Sequence, residues 1–81
     1  MRVTVRLFAR LRELAGAEEL AIEVPDGASV GDVWECLAAG HPALSVHRGS
    51  VSAAVNAEFA RMHARVGAGD EVAFLPPVSG G

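Results

Sequence analysis

The chain contains no lysine: all seven basic residues among its 81 are arginine. It therefore cannot form a Schiff base, carry the lysine of a phosphate-binding loop, or act as its own isopeptide acceptor. Tyrosine is absent, and Trp34 is the only tryptophan. A lone Cys36 excludes an internal disulfide and fits a reducing compartment. No apolar run approaches the ~20 residues that span a bilayer. Arg2, Arg6, Arg10 and Arg12 interrupt the apolar start, which excludes a secretory h-region. A soluble, cytoplasmic protein with no membrane partner is expected. An excess of positive charge is also missing. The net charge is −3 and the pI about 5.5, which disfavours nucleic acid as a partner. What remains is 51% hydrophobic and 21% charged, a composition that folds. Its length allows one domain.

Residues 2–8 alternate, with Val3, Val5 and Leu7 on one face and Arg2, Thr4, Arg6 and Phe8 on the other. Such a period of two predicts a half-buried strand. Residues 9–15 predict a short helix, closed by Gly16. Residues 19–24 alternate again, with Leu20, Ile22 and Val24 inward, and should pair with the first strand. Ser29 followed by Asp32 resembles a capping box and opens the main helix. Its apolar stripe is Val30, Val33, Trp34, Leu37 and Ala38, and Gly40 should stop it. Residues 51–55 predict a buried strand, and an irregular stretch is expected from there through Gly69. Residues 70–75 predict a last strand, ended by Pro76 and Pro77, which lack amide donors. The order implies an α+β fold: a mixed sheet with one main helix packed across it. The expected core is Val3, Val5, Leu7, Ile22, Val24, Val33, Trp34, Leu37, Val55, Val72 and Phe74.

Few residues carry chemistry by pattern. His41, His47 and His63 lack zinc-site spacing, so no metal site is expected. Cys36 has no activating motif around it and reads as a small, partly buried residue. Glu13, Glu18, Glu19 and Glu23 read as a solvated face. No glycine-rich nucleotide loop is present. Residues 76–81 differ from the rest. Pro76 and Pro77 stiffen the exit from the sheet, and Val78 and Ser79 follow. Gly80 and Gly81 present no side chains, so they can pass through a channel too narrow for a Cβ. The ordinary alternative is a frayed end. Division is expected into a globular part, residues 1–75, and an extended flexible tail, residues 76–81. A terminal carboxylate at Gly81, with a pKa near ~3.5, is an anion at neutral pH and a poor electrophile. It needs activation, and without a nucleotide loop the chain must receive that from a partner.

Two stretches are similar to the molybdopterin synthase small-subunit family, the sulfur carriers of molybdenum cofactor biosynthesis. One is Val5-Arg6-Leu7-Phe8-Ala9-Arg10-Leu11-Arg12-Glu13-Leu14-Ala15-Gly16. The other is Asp70-Glu71-Val72-Ala73-Phe74-Leu75-Pro76-Pro77-Val78-Ser79-Gly80-Gly81. Ala54-Val55-Asn56 resembles that family's third strand and the turn after it. The resemblance implies a ubiquitin-like β-grasp fold. It implies that a ubiquitin-activating-like adenylyltransferase, using ATP and magnesium, adenylates Gly81. A sulfurtransferase then supplies sulfur to give a thiocarboxylate. The tail, Pro76 to Gly81, enters the large synthase subunit and donates sulfur to cyclic pyranopterin monophosphate. No cofactor is bound by the chain itself, which is not catalytic alone. A hetero-oligomer of two large and two small subunits is implied. Phe8 and Leu75 are large apolar residues that parity turns away from the core. With Phe59, which the resemblance adds, they are expected to form one partner-docking patch. The alternatives are a carrier for another product, such as the thiazole of thiamine, or a ubiquitin-like protein modifier.

Overall fold

A computed structural model describes residues 1–77. The tail positions Val78, Ser79, Gly80 and Gly81 lie outside the described residues. Strand β1 is Arg2–Leu7, helix α1 Ala9–Ala15, strand β2 Glu19–Glu23 and helix α2 Val30–Gly40. A 3-10 helix at Pro42–His47 leads to β3 (Ser52–Val55), β4 (Glu58–Ala60) and β5 (Glu71–Leu75). The sheet order is β2-β1-β5-β3-β4. Only β1 and β5 are parallel among these neighbours. The mixed sheet thus places the last strand at its centre, where both flanking strands hold it in register.

One sheet face and α2 form the core. Val3, Val5, Leu7, Val72 and Phe74 come from the sheet, and Val30, Val33, Trp34 and Leu37 from the helix, all buried. The Trp34 and Phe74 rings meet edge-on, with centroids 5.0 Å apart and planes at 67°. Ser29 and Asp32 do form a capping box: Asp32 N donates to Ser29 Oγ at 3.1 Å, and Ser29 N to Asp32 Oδ2 at 2.9 Å. Gly16 closes α1 at φ 73°, a left-handed turn in which a Cβ is disfavoured.

The sequence expectations need several corrections. Residues 57–69 are not wholly irregular, because β4 pairs antiparallel with β3 through the tight Asn56-Ala57 turn. Both turn residues have positive φ, 49° and 70°, as a two-residue hairpin requires. The Pro42–His47 helix was also not anticipated; it buries Leu44. Gly40 is the last helical residue, and His41 caps the end. Ile22 and Val55 are only partly buried. Ile22 lies on edge strand β2, and Val55 ends β3 beside the turn. Phe8 lies just past β1 as the cap of α1, but its φ of −123° and ψ of 151° are extended. It therefore keeps the strand's parity.

Asp70 turns the chain into β5. It accepts from Gly67 N at 2.7 Å and from Asn56 Nδ2 at 3.1 Å, while Asn56 Oδ1 accepts from Glu71 N at 3.0 Å. The Gly67 amide first, and Asn56 second, hold its carboxyl below the ordinary value of 3.8. A depressed native pKa stabilises the fold above the unfolded value, and the benefit is lost as pH falls through the native one. Asp70→Asn should therefore lower the melting temperature at neutral pH. The gap from wild type should narrow steadily below about pH 4. A gap independent of pH in thermal melts by circular dichroism would assign the effect to shape rather than charge.

Candidate functional site

The face of the sheet away from α2 carries the candidate site. Register aligns Arg6 with Ala73, Ala73 with Ala54, and Ala54 with Phe59, in one row across four strands. The next row holds Leu75 opposite Ser52. Phe8 follows the Leu7–Phe74 pair by one residue, which sets it beside Leu75. Phe8 is 40% exposed, Leu75 38% and Phe59 75%. The expected patch residues thus share one face. Phe8 and Leu75 are neighbours, whereas Phe59 stands two strand spacings from β5, about 10 Å away. Ala54 and Ala73 form the low floor between them. In the sequence only the parity they share with Leu75 marks these alanines.

The Arg6 guanidinium carbon lies 5.9 Å from the Phe8 ring centroid, and Arg6 reaches Glu71 at 3.7 Å. Both side chains are partly exposed to water, so this pair contributes little to the stability of the fold. Pro76 is half-buried and Pro77 exposed, and they follow directly on β5. Of the predicted tail residues, these two are placed. Val46 is 82% exposed but sits on the 3-10 helix, outside the sheet.

A second concavity, roughly 400 Å³, lies along the first half of α2 and is lined by Ser29, Asp32, Trp34, Glu35, Arg48 and Met62. The amides at this helix start are all engaged. Val30 N donates to Ala64 O at 2.8 Å, Gly31 N to Met62 O at 2.8 Å, Val33 N to Ser29 O at 3.0 Å, and Asp32 N to Ser29 Oγ. They are not available to cradle a phosphate. Hydrogen bonds from the Ser29 backbone and side chain keep the Asp32 carboxyl below the usual carboxylate range, so the spot stays anionic. Arg48 pairs with Glu35.

Among the described residues no three histidine, cysteine or acidic side chains group as metal ligands. His41 Nδ1 sits 3.3 Å from Leu37 O, and Cys36 is half-buried on α2. Three of the four glutamates in the acidic cluster meet arginines: Glu13 with Arg10, Glu18 with Arg12, and Glu23 with Arg2. No described helix is long and apolar enough to cross a membrane.

Comparison with known proteins adds the family. Residues 5–81 match the ThiS family. A molybdopterin synthase sulfur carrier subunit from Chlamydomonas reinhardtii is 40% identical over 83 residues, covering 100% of both chains. Small archaeal modifier protein 1 from Haloferax volcanii is 37% identical over 84 residues, covering 94% of this chain and 97% of that one. The crystal structure of that modifier superposes with a TM-score of 0.89 at 36% identity, covering 100% of both chains. The fold is the ubiquitin-like β-grasp, with α2 across a five-stranded mixed sheet. The similarity to molybdopterin synthase small subunits extends over the whole chain, and the chain belongs to the ThiS family.

Proposed function

We propose that this chain is a sulfur carrier whose reactive group is the carboxyl of Gly81. Its full-length similarity to a molybdopterin synthase sulfur carrier subunit carries the reading. In the proposed cycle an adenylyltransferase partner joins the carboxylate to the AMP part of magnesium-bound ATP, and pyrophosphate leaves. A sulfurtransferase then replaces AMP with sulfur. The tail delivers the thiocarboxylate into the large subunit of a molybdopterin synthase, where sulfur passes to cyclic pyranopterin monophosphate. A dithiolene needs two sulfurs, so two loaded carriers are consumed. The acid–base groups acting on the pterin belong to the large subunit, in an assembly of two large and two small chains.

Intact mass tests the chemistry. Coexpression with the adenylyltransferase and sulfur source should yield a species about 16 Da heavier, as oxygen gives way to sulfur. An unchanged mass under those conditions counts against the carrier reading. The similarity to small archaeal modifier protein 1 favours a second reading, attachment to other proteins. That activity would leave this chain's tail on lysines elsewhere in the proteome. A thiazole-forming carrier, the other alternative, would fail to support sulfur transfer to the pterin by a purified large subunit.

The apolar face is proposed as the docking surface for both partners. Phe59, 75% exposed, contributes little to the core. Phe59→Ala should leave the melting temperature nearly unchanged, since surface substitutions usually stay within about 0.5 kcal/mol. It should weaken binding to the large subunit by roughly 10- to 100-fold, the range of an aromatic anchor. Equal affinity in titration calorimetry would remove Phe59 from the interface.

A further inference from the structure

We infer that this chain can give away its activated carboxyl but offers no free amine on which another copy's carboxyl would form a lasting amide. The inference rests on the proposed activation of Gly81. An unprotonated primary amine attacks an acyl adenylate: a C–N bond forms, the bond to AMP breaks, AMP leaves with the electron pair, and the amine's proton goes to solvent. A thioester reacts in the same way, releasing its thiol. A carrier passing through such a species among free copies of itself meets a self-acylation hazard.

The side chains offer no amine. The seven basic residues are arginines, whose guanidinium groups stay protonated and do not compete as acyl acceptors. Within residues 1–81 the remaining amine is the α-amino group of Met1, and the fold removes it in two ways.

The first is distance. Because β1 and β5 run parallel, with Leu7 beside Phe74, Met1 lies at the end of the sheet opposite the tail's exit. The strand from Phe8 back to Met1 spans about 23 Å. The six residues after Leu75 reach about 20–22 Å when fully extended. They would also have to reverse direction at Pro76-Pro77, where the rings fix φ. Ring closure within one molecule falls short.

The second is pairing, which guards against attack between copies. The Met1 ammonium donates to Val24 O at 2.7 Å, and Val24 N donates to Met1 O at 2.8 Å. The carboxylates of Asp26 and Glu23 lie 3.5 and 3.9 Å from the same nitrogen. The amine becomes a free nucleophile only after the Met1–Val24 backbone pair, next to the Arg2–Glu23 end of the β1–β2 ladder, opens. The missing lysines and the tied terminus together deny the activated carbonyl an amide within or between copies, while any thioester formed on the half-buried Cys36 thiol would stay open to sulfur.

The full chain made as a Gly81 thioester of 2-mercaptoethanesulfonate tests this with one electrophilic carbonyl and no partner. At millimolar concentration in mildly alkaline buffer, wild type should hydrolyse without forming an amide-linked dimer or ring, scored after excess small thiol has cleaved any thioester on Cys36. Arg10→Lys and Arg48→Lys, at exposed positions, should restore dimers at least about ten-fold above wild type. Wild-type dimers or rings at the variants' level would overturn the inference. So would lysine variants that stay monomeric, because the protection would then not lie in the absent amines. In a separate reading, acetylation of Met1 by N-hydroxysuccinimide acetate should be at least about ten-fold slower in the native chain than in concentrated urea, as for a group reached through local opening. Equal rates would overturn the pairing argument. Neither readout involves sulfur loading, so a failure here is distinct from a failure of the carrier reading.

Discussion

Adding a single alanine after Gly81 should leave the fold intact and cut sulfur transfer by at least about two orders of magnitude. Each added residue moves the terminal carboxyl by up to about 3.6 Å. Group transfer needs reacting atoms within about 3–3.5 Å, and a misplacement of about 1 Å already costs on the order of a hundredfold. The extension also places a Cβ next to the carbonyl proposed to react, where a channel of glycine width would exclude it. The core ends at Phe74, and Pro77 is exposed. The melting temperature should accordingly shift by no more than about 1 °C. Gly81→Ala should act in the same direction through the Cβ alone. The measurement is pterin conversion by the large subunit with preloaded carrier, beside thermal melts of both chains. Full transfer by the extended chain would show that the reacting group is not the Gly81 carboxyl. Equal losses of stability and transfer would assign the effect to folding.

Much of this architecture is written in short-range patterns. β1, β2 and β5 show because alternation is strict over five or six residues. Helix α2 shows because a capping residue, its partner and an apolar stripe agree. Strand β4 stays hidden for the opposite reasons: it is three residues long, too short for a period. Its hairpin turn is Asn56-Ala57, where the sequence signal would be a glycine. The 3-10 helix buries only Leu44 and has no repeat to read. The candidate face divides along the same line. Phe8 and Leu75 stand out by breaking the apolar parity of their strands. Phe59 sits on the hidden strand, so no pattern flagged it, and only the family resemblance did. Ala54 and Ala73 were silent because a small side chain on an outer face contrasts with nothing around it. Pairing across β3 and β5, a long-range fact, turns them into the floor of a site.

Trp34→Ala should destabilise the domain by about 3–5 kcal/mol, the range for emptying a large aromatic site in a packed core. Trp34 is 1% exposed and its ring edge meets Phe74, which is fully buried. The edge-on pair adds about 0.5–1.5 kcal/mol beyond area, and alanine forfeits that together with the volume. An average domain holds roughly 0.05–0.15 kcal/mol per residue, so this one change removes a large share of what 81 residues provide. The loss also falls beside the candidate face. Phe74 precedes Leu75, and with Ala53 opposite it it fixes the last turn of strand before the prolines. Loosening Phe74 would let Leu75 shift from Phe8 and so disturb the proposed docking face. Trp34→Phe should cost much less than alanine. It keeps a ring against Phe74 and removes Nε1, a buried donor that finds no acceptor among the described residues; leaving such a group unpaired costs about 1–3 kcal/mol. Urea unfolding followed by circular dichroism ranks the three chains, and affinity for the large subunit should follow the same order. An alanine variant within about 1 kcal/mol of wild type would place Trp34 outside the load carried by the helix–sheet core.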